Sequence, residues 1–178
     1  WVEHGAGGYW DYCDFPLKDA DEEMVAKWPG PKASDHDFSG VAEACRKNEK
    51  YAVIAATGFG DIINGNGFLR GMEQTFLDLV TNDPAGRLLT DRRMDYQYEL
   101  TKSVIEAADG GIDIMFLGED LGTQIGPSIS MDIFKSYIRP RYERFTALAK
   151  EHGLIVMIHC CGSSSWAFEE FIDMGIHV

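Results

Sequence analysis

Residues 154–162 read Leu154-Ile-Val-Met-Ile-His-Cys-Cys-Gly162. The run opens with five consecutive apolar residues, three of them β-branched, and is bounded by glycines at 153 and 162. This pattern is typical of a strand buried on both faces of a parallel sheet. The strand then ends in an imidazole and two thiols. Because side chains alternate along a strand, we expect His159 and Cys161 to point one way and Cys160 the other.

The pair formed by His159 and Cys161 has two interpretations. An imidazole nitrogen and a thiolate sulfur on one face are two of the four ligands of a tetrahedral zinc site. Complete zinc signatures contain more ligands than this pair. The alternative is a buried strand whose cysteines act as small apolar residues beside a hydrogen-bonded histidine. Spacing alone leaves both interpretations open.

Strands and helices alternate outward from this stretch. Apolar runs predict further strands at residues 51–57 and 112–117, and 176–178 looks like the start of another. Ser130 is placed to cap a helix over 131–151, and Asp83-Pro84 to begin one that ends before Gly110-Gly111. The remaining predicted helices cover residues 18–28, 38–47, 69–80 and 166–174.

This alternation predicts an α/β fold with a parallel sheet and right-handed crossovers. An open doubly wound sheet and a (β/α)8 barrel both fit the pattern. A barrel usually needs about 250 residues, so the 178 residues here would form part of one. We interpret residues 1–178 as a single partial barrel domain. Within it, residues 1–50 form an irregular segment rich in aromatic residues and glycine, and residues 51–178 form the βα repeats.

Polar residues follow three of the predicted strands, where parallel α/β folds gather their functional groups. Asp61 and Asn64 lie in a glycine-rich loop over 58–67, which we interpret as the rim of a substrate site because it lacks P-loop and dinucleotide spacing. Glu119 and Asp120 are candidate catalytic carboxylates, with solvated loop residues as the alternative. Gln124 and Ser130 are candidates for substrate binding, although Ser130 fits a helix cap better than a nucleophile.

Composition excludes several classes of protein. The formal net charge of −13 argues against a nucleic-acid partner. No apolar run is long enough to span a membrane. The four cysteines do not form a disulfide framework, and we expect a cytoplasmic location. Near the amino end, four residues offer metal-ligand chemistry without a fixed spacing and are interpreted as surface polar groups: His4, Asp11, Cys13 and Asp14.

Part of the sequence resembles a known superfamily. The segments Gly118-Glu-Asp-Leu-Gly-Thr-Gln-Ile-Gly-Pro-Ser-Ile-Ser130, Phe134 to Pro140, His152-Gly153 and Ile158-His-Cys-Cys-Gly162 are similar to the uroporphyrinogen decarboxylase-like superfamily. Within it, they resemble most the branch of cobalamin-dependent methyltransferases. The likeness runs through residues 50–178, and the 118–162 block is its specific part.

The resemblance implies a (β/α)8 barrel and, for the methyltransferase branch, a Zn²⁺ site made by a His-x-Cys pair and a later cysteine. His159 and Cys161 match the pair, and the later cysteine has no counterpart in this sequence. In that branch zinc holds an acceptor thiol as a thiolate, which takes a methyl group from the cobalt of a corrinoid (cobalamin) on a separate corrinoid protein.

Two other functions remain open at this point. The decarboxylase branch works without metal or cofactor and binds an acidic porphyrinogen through arginines and a carboxylate. The His-Cys-Cys end favours zinc-dependent methyl transfer to a small-molecule thiol, because a decarboxylase does not need a soft-metal pair. The third interpretation is a non-catalytic barrel fragment, since half a barrel would expose strand edges.

Overall fold

The computed structural model describes residues 2–3, 8, 10–57 and 60–178. Their backbone forms a mixed α/β structure whose strands are β1 (Val2–Glu3), β2 (Trp10–Asp11), β3 (Ile54–Ala55), β4 (Ile114–Gly118) and β5 (Ile155–His159). The α-helices are α1 (Glu22–Lys27), α2 (Val41–Lys47), α3 (Ile63–Arg70), α4 (Met72–Thr81), α5 (Pro84–Ala107), α6 (Met131–Ile133), α7 (Arg139–Glu151) and α8 (Phe168–Asp173). Short 3₁₀ helices cover Ala33–Asp35 and Ser165–Ala167. Within the described part of the chain, no helix combines the length and the apolar character needed to cross a bilayer.

The chain divides into two compact units, the first made of residues 1–29 and 63–91 and the second of 30–62 and 92–178. In the first unit, β1 and β2 pair antiparallel, and a small apolar core forms around Val25 and Leu89. A buried ion pair joins Arg70 Nε to Asp78 Oδ2 at 2.6 Å. The Arg70 guanidinium also donates to the carbonyl of Ala20, at 2.9 Å, which ties the segment before α1 to the end of α3.

The second unit contains a three-stranded parallel sheet in the order β3-β4-β5. Residues 114–118 of β4 pair in register with 155–159 of β5. The helix α7 leads into β5, as the sequence predicts, and the buried side chains of Phe134 and Phe145 belong to the core of this unit. This sheet confirms the predicted α/β class with a parallel sheet. The described strands do not close into a barrel.

A fourth segment extends the sheet beyond β5. The His177 amide donates to the Val156 carbonyl at 2.8 Å, and the Ile158 amide donates to the Val178 carbonyl at 2.8 Å. Residues 176–178 thus bond to β5 in the way a further parallel strand does, although they do not form a regular strand. The predicted start of a strand lies where these bonds form.

The helix before β5 contains a π-helical turn over Phe134–Ile138. Ser130 caps its first turn, as predicted, by accepting from the Ile133 amide at 3.2 Å. The sequence predicts one regular helix over 131–151. Pro140 explains the difference, because it has no N–H to donate to residue 136 and its ring crowds that carbonyl.

Two predicted boundaries are wrong in the region after β3. The glycine-rich loop was expected to reach residue 67, but α3 begins at Ile63. Buried contacts outweigh the low helix propensity of its glycines and asparagines, and the Asn66 amide donates to Thr90 Oγ1 at 2.7 Å. The helix predicted over 69–80 is divided at Gly71, whose φ of 81° is incompatible with an α-helix.

Candidate metal centre

Three polar side chains meet at the carboxyl end of the parallel sheet. His159 is the last residue of β5, Cys161 follows two residues later, and Asp120 lies two residues beyond β4. One ligand atom from each residue lies within 4.8 Å of the other two. Because β4 and β5 are parallel and in register at Gly118 and His159, their ends bring these residues together. The sequence predicted each residue as functional and predicted the shared face of His159 and Cys161.

The three side chains converge on a single nitrogen. Cys161 Sγ lies 3.1 Å from His159 Nε2, and Asp120 Oδ1 lies 3.6 Å from the same nitrogen. In a catalytic relay the carboxylate contacts the imidazole nitrogen opposite the nucleophile. Here the sulfur and the carboxylate share Nε2 instead. The arrangement therefore does not fit a thiol nucleophile activated by a His-Asp relay.

The same distances fit a common metal ion. Two ligands at zinc bond lengths in a tetrahedron lie about 3.5 Å apart. The separations of 3.1 and 3.6 Å are close to this value. An imidazole nitrogen, a thiolate and a carboxylate oxygen are also the three donor types that zinc accepts. The site is open to solvent, since the side chains of His159 and Asp120 are 56% and 32% exposed.

The charge of Asp120 acts on the thiol beside it. A hydrogen bond to the Asp120 carboxylate raises the pKa of Cys161, because it favours the protonated thiol. A thiol activated for direct nucleophilic attack would need a lowered pKa. A cation bound between the two groups would reverse this effect, since it favours the thiolate. The local electrostatics therefore argue against a metal-free thiolate nucleophile at Cys161.

Cys160 points to a different environment, as the alternation predicts. Its sulfur accepts a long hydrogen bond from the Leu121 amide at 3.4 Å. Burial raises the pKa of the Cys160 thiol, so this residue remains protonated at neutral pH. It therefore provides a natural control for the role of Cys161.

Two glycines bring the loops after β4 and β5 into direct backbone contact. A Cβ on Gly122 would lie 2.3 Å from the Ser163 nitrogen, and a Cβ on Gly162 would lie 2.3 Å from the Gly122 oxygen. Gly162 also has a φ of 75°, a conformation that favours glycine. The Ser163 amide donates to the Thr123 carbonyl at 2.8 Å. These contacts hold Asp120 beside Cys161, and the Cys161 amide donates to Asp120 Oδ1 at 2.9 Å.

Glu119, the other predicted catalytic carboxylate, has a different environment from Asp120. Its side chain is 1% exposed, and Oε2 accepts hydrogen bonds from the Ile62 amide and the Tyr142 hydroxyl, each at 2.9 Å. The half-buried Arg93 lies nearby and donates to the Asp61 carbonyl at 3.1 Å. Burial lowers the pKa of the Arg93 guanidinium, while the charges of Asp61 and Glu119 act in the opposite direction.

The other predicted substrate residues do not gather at one place. Asp61 lies in the same network as Glu119 and Arg93. Asn64 lies on α3 in the first unit, so its assignment to a loop is wrong. Gln124 is exposed on a tight turn, closed by the hydrogen bond from the Thr123 amide to the Gly126 carbonyl at 2.7 Å. Ser130 caps α6. Substrate binding by these four residues stays a prediction.

Among the described residues, the cluster of metal-ligand atoms does not include Asp11, Cys13 or Asp14. Cys13 and Asp14 are exposed and Asp11 is half-buried, whereas His4 and the loop residues 58 and 59 lie outside the described residues. Sequence reasoning missed Tyr142 and Arg93. Both lie within long helices, where a tyrosine resembles a core residue and an arginine a surface one, so no local signal distinguished them.

No family model, curated protein or solved structure matches this chain. The site is therefore interpreted from its own chemistry.

Proposed function

We propose that His159, Cys161 and Asp120 bind a zinc ion and that this centre serves methyl transfer between a corrinoid protein and a small-molecule thiol. The observation that carries the proposal is the approach of both Cys161 Sγ and Asp120 Oδ1 to the same nitrogen of His159. Three protein ligands leave a fourth position of a tetrahedral ion open, which is the arrangement of catalytic rather than structural zinc sites.

Each ligand has a distinct role in this proposal. His159 would present Nε2 as a ligand atom, and Cys161 would supply a thiolate once its proton has left. Asp120 Oδ1 accepts a hydrogen bond from the Cys161 amide, and this bond fixes the carboxylate beside the sulfur. Zinc bound to this set would lower the pKa of an added thiol and hold it as a thiolate near neutral pH. Because the Cys161 thiol must be deprotonated to bind, zinc binding is expected to release a proton.

We propose that the chain belongs to the uroporphyrinogen decarboxylase-like superfamily and that its second unit is part of a (β/α)8 barrel. Three parallel strands are joined through helices, residues 176–178 bond to β5 as a further strand would, and the polar groups lie at the carboxyl ends of the strands, where such barrels place their sites. The four cysteines are free thiols, which fits the proposed location in a reducing cytoplasm.

A combined metal and transfer assay tests the proposal. The purified protein should hold about one zinc per chain, and zinc should be lost from His159→Ala and Cys161→Ala but kept by Cys160→Ala. With methylcobalamin as the methyl donor, loss of the methyl–cobalt absorbance should depend on both zinc and an added thiol. A protein that contains no zinc and consumes uroporphyrinogen would contradict the proposal and support a decarboxylase. A zinc-loaded protein that leaves methylcobalamin unchanged with every thiol tested would contradict the methyl transfer alone.

A further inference from the structure

A buried tyrosine connects the ends of two strands behind the candidate metal centre. Tyr142 lies on α7 and is 1% exposed. Its hydroxyl lies 2.8 Å from the Gly118 carbonyl at the end of β4 and 3.1 Å from the Gly60 carbonyl after β3. It also contacts Glu119 Oε2 at 2.9 Å. One phenol group therefore contacts both strand ends, through two carbonyl oxygens and the Glu119 carboxylate.

Glu119 bonds to the same two strand ends, and we call Tyr142, Glu119 and the Ile62 amide the junction. Its Oε2 accepts from the Ile62 amide as well as from Tyr142, so the segment after β3 and the end of β4 share one carboxylate oxygen. The Glu119 amide donates to the His159 carbonyl at 2.9 Å, which continues the ladder between β4 and β5. Because Asp120 is the next residue, the direction of its Cα–Cβ bond depends on how this backbone is held.

We propose that Tyr142 is a positioning residue that acts through Gly118 and Glu119 to hold Asp120 at the distance a metal ion requires. This inference rests on the proposed zinc site, and it adds a residue that touches neither the metal nor a substrate. Groups that orient metal ligands from behind typically change metal affinity by about 10- to 100-fold when they are removed.

The Tyr142 hydroxyl matters for the position of Glu119 because both residues are buried. Removing the Tyr142 hydroxyl leaves a buried carboxylate with one donor fewer, and water cannot easily replace it at a side chain that is 1% exposed. On this proposal the end of β4 then shifts, because Gly118 and Glu119 lose the hydroxyl group that both contact. A tyrosine that serves only as core packing would keep the same metal geometry after losing its hydroxyl, since the ring stays in place.

The first experiment compares Tyr142→Phe with Tyr98→Phe. Tyr98 is a matched control, because its ring packs edge-on against Phe145 at 5.6 Å in the same unit and the described contacts of Tyr98 involve its ring rather than its hydroxyl. Zinc affinity is measured by competition with a chromogenic chelator at a temperature where both metal-free variants are folded. We expect Tyr142→Phe to bind zinc about 10- to 100-fold more weakly than wild type and Tyr98→Phe to bind it as wild type does.

The visible absorption of the cobalt-substituted protein adds a measurement that does not depend on protein stability. If Tyr142 orients Asp120, the cobalt bands of Tyr142→Phe should shift in position and intensity relative to those of Tyr98→Phe. Equal affinities and identical cobalt spectra in the two variants would overturn the inference and leave the zinc site intact. Failure of wild-type protein to bind zinc or cobalt would instead remove the proposed function itself.

A second experiment uses the wild-type protein, in case Tyr142→Phe does not fold. Coupling between two sites is reciprocal, so a junction that positions a metal ligand must itself be stabilised by the metal. Hydrogen exchange of the Ile62 amide should therefore slow when zinc is added. The Val53 amide, which donates to Asp113 Oδ2 at 2.8 Å, is the matched control at the other end of the sheet and should not change. Unchanged protection of Ile62 in zinc-saturated protein would overturn the inference.

Discussion

The two ends of the parallel sheet use carboxylates in different ways. At the amino end, Asp113 precedes β4 and its Oδ2 accepts from the Val53 amide at 2.8 Å. Its backbone amide also donates to the Val53 carbonyl at 3.0 Å. Asp113 therefore joins the residues just before β3 and β4 by two hydrogen bonds. At the carboxyl end, Glu119 has a similar structural role, but Asp120 beside it faces an imidazole and a thiol. A carboxylate at a strand end is therefore not a site by itself, and the convergence of different ligand types distinguishes the end that carries the candidate metal centre.

The largest expected effect comes from removing a proposed ligand of the candidate metal centre. His159→Ala or Cys161→Ala should weaken zinc binding by more than about 100-fold, which exceeds the usual effect of losing a group behind the ligands. Cys160→Ala should keep an affinity close to that of wild type, because its sulfur faces the Leu121 amide. Isothermal titration with zinc measures all three variants. Equal losses in Cys160→Ala and Cys161→Ala would contradict the assignment of the sulfur ligand.

Two glycines at opposite ends of β5 provide the next comparison. Gly153 and Gly162 have positive φ values of 69° and 75°. A Cβ on Gly153 meets nothing within 4 Å, whereas one on Gly162 lies 2.3 Å from the Gly122 oxygen. Gly153→Ala should cost about 1–2 kcal/mol of unfolding free energy from strain alone. Gly162→Ala should cost about 1–3 kcal/mol more, because the loops must separate.

Urea unfolding of the metal-free protein measures both glycine variants. Similar unfolding free energies for Gly153→Ala and Gly162→Ala would show that the close approach of the two loops does not contribute to stability. Zinc affinity of the folded Gly162→Ala variant should also fall, since Cys161 is the preceding residue. Gly153→Ala should leave zinc affinity unchanged.

A smaller effect is expected from Asp120→Asn. The amide retains an oxygen that can accept from the Cys161 backbone amide, which Asp120 Oδ1 now accepts at 2.9 Å. It removes the negative charge, so we expect a loss of about tenfold in zinc affinity, or about 1.4 kcal/mol. Competition with a chelator measures the change. An unchanged affinity would show that the negative charge of Asp120 does not contribute to zinc binding.

The smallest effect is expected at the amino end of the sheet. Asp113→Asn weakens a charge-assisted hydrogen bond to the Val53 amide and should lower the unfolding free energy by about 1 kcal/mol. It should not change zinc affinity. Thermal unfolding and a zinc titration of the same sample measure both quantities. A loss of zinc affinity comparable with that of Asp120→Asn would remove the distinction between the two ends.

The sequence predicted the parts of this structure that depend on local chemistry. The run 154–162 predicted a strand with His159 and Cys161 on one face, and the Asp83-Pro84 and Ser130 signals predicted where helices begin. The carboxylate pair was assigned to one role, but Glu119 is buried and Asp120 contacts the imidazole and thiol. That separation depends on Tyr142 and Ile62, which lie far from residue 119 in sequence, so no local pattern contained it.

The wrong predictions have the same physical origin. The glycine-rich segment after β3 reads as a loop because glycine and asparagine favour turns. In the structure the Asn66 side chain is 4% exposed and bonded to Thr90. This hydrogen bond joins residues 24 positions apart in the sequence and stabilises the helical conformation. Long-range burial therefore outweighed local propensity at Asn66, and Asn64, a residue of the expected substrate rim, lies on the same helix.

X-ray absorption at the zinc edge is the sharpest test of the proposed site, because it reports the atoms bound to the ion. A zinc ion held by His159, Cys161 and Asp120 should show one sulfur at about 2.3 Å and nitrogen or oxygen ligands at about 2.0–2.1 Å. The sulfur contribution should be absent from residual zinc in Cys161→Ala and present in Cys160→Ala. A shell of nitrogen and oxygen alone in the zinc-loaded wild-type protein would contradict the proposed site.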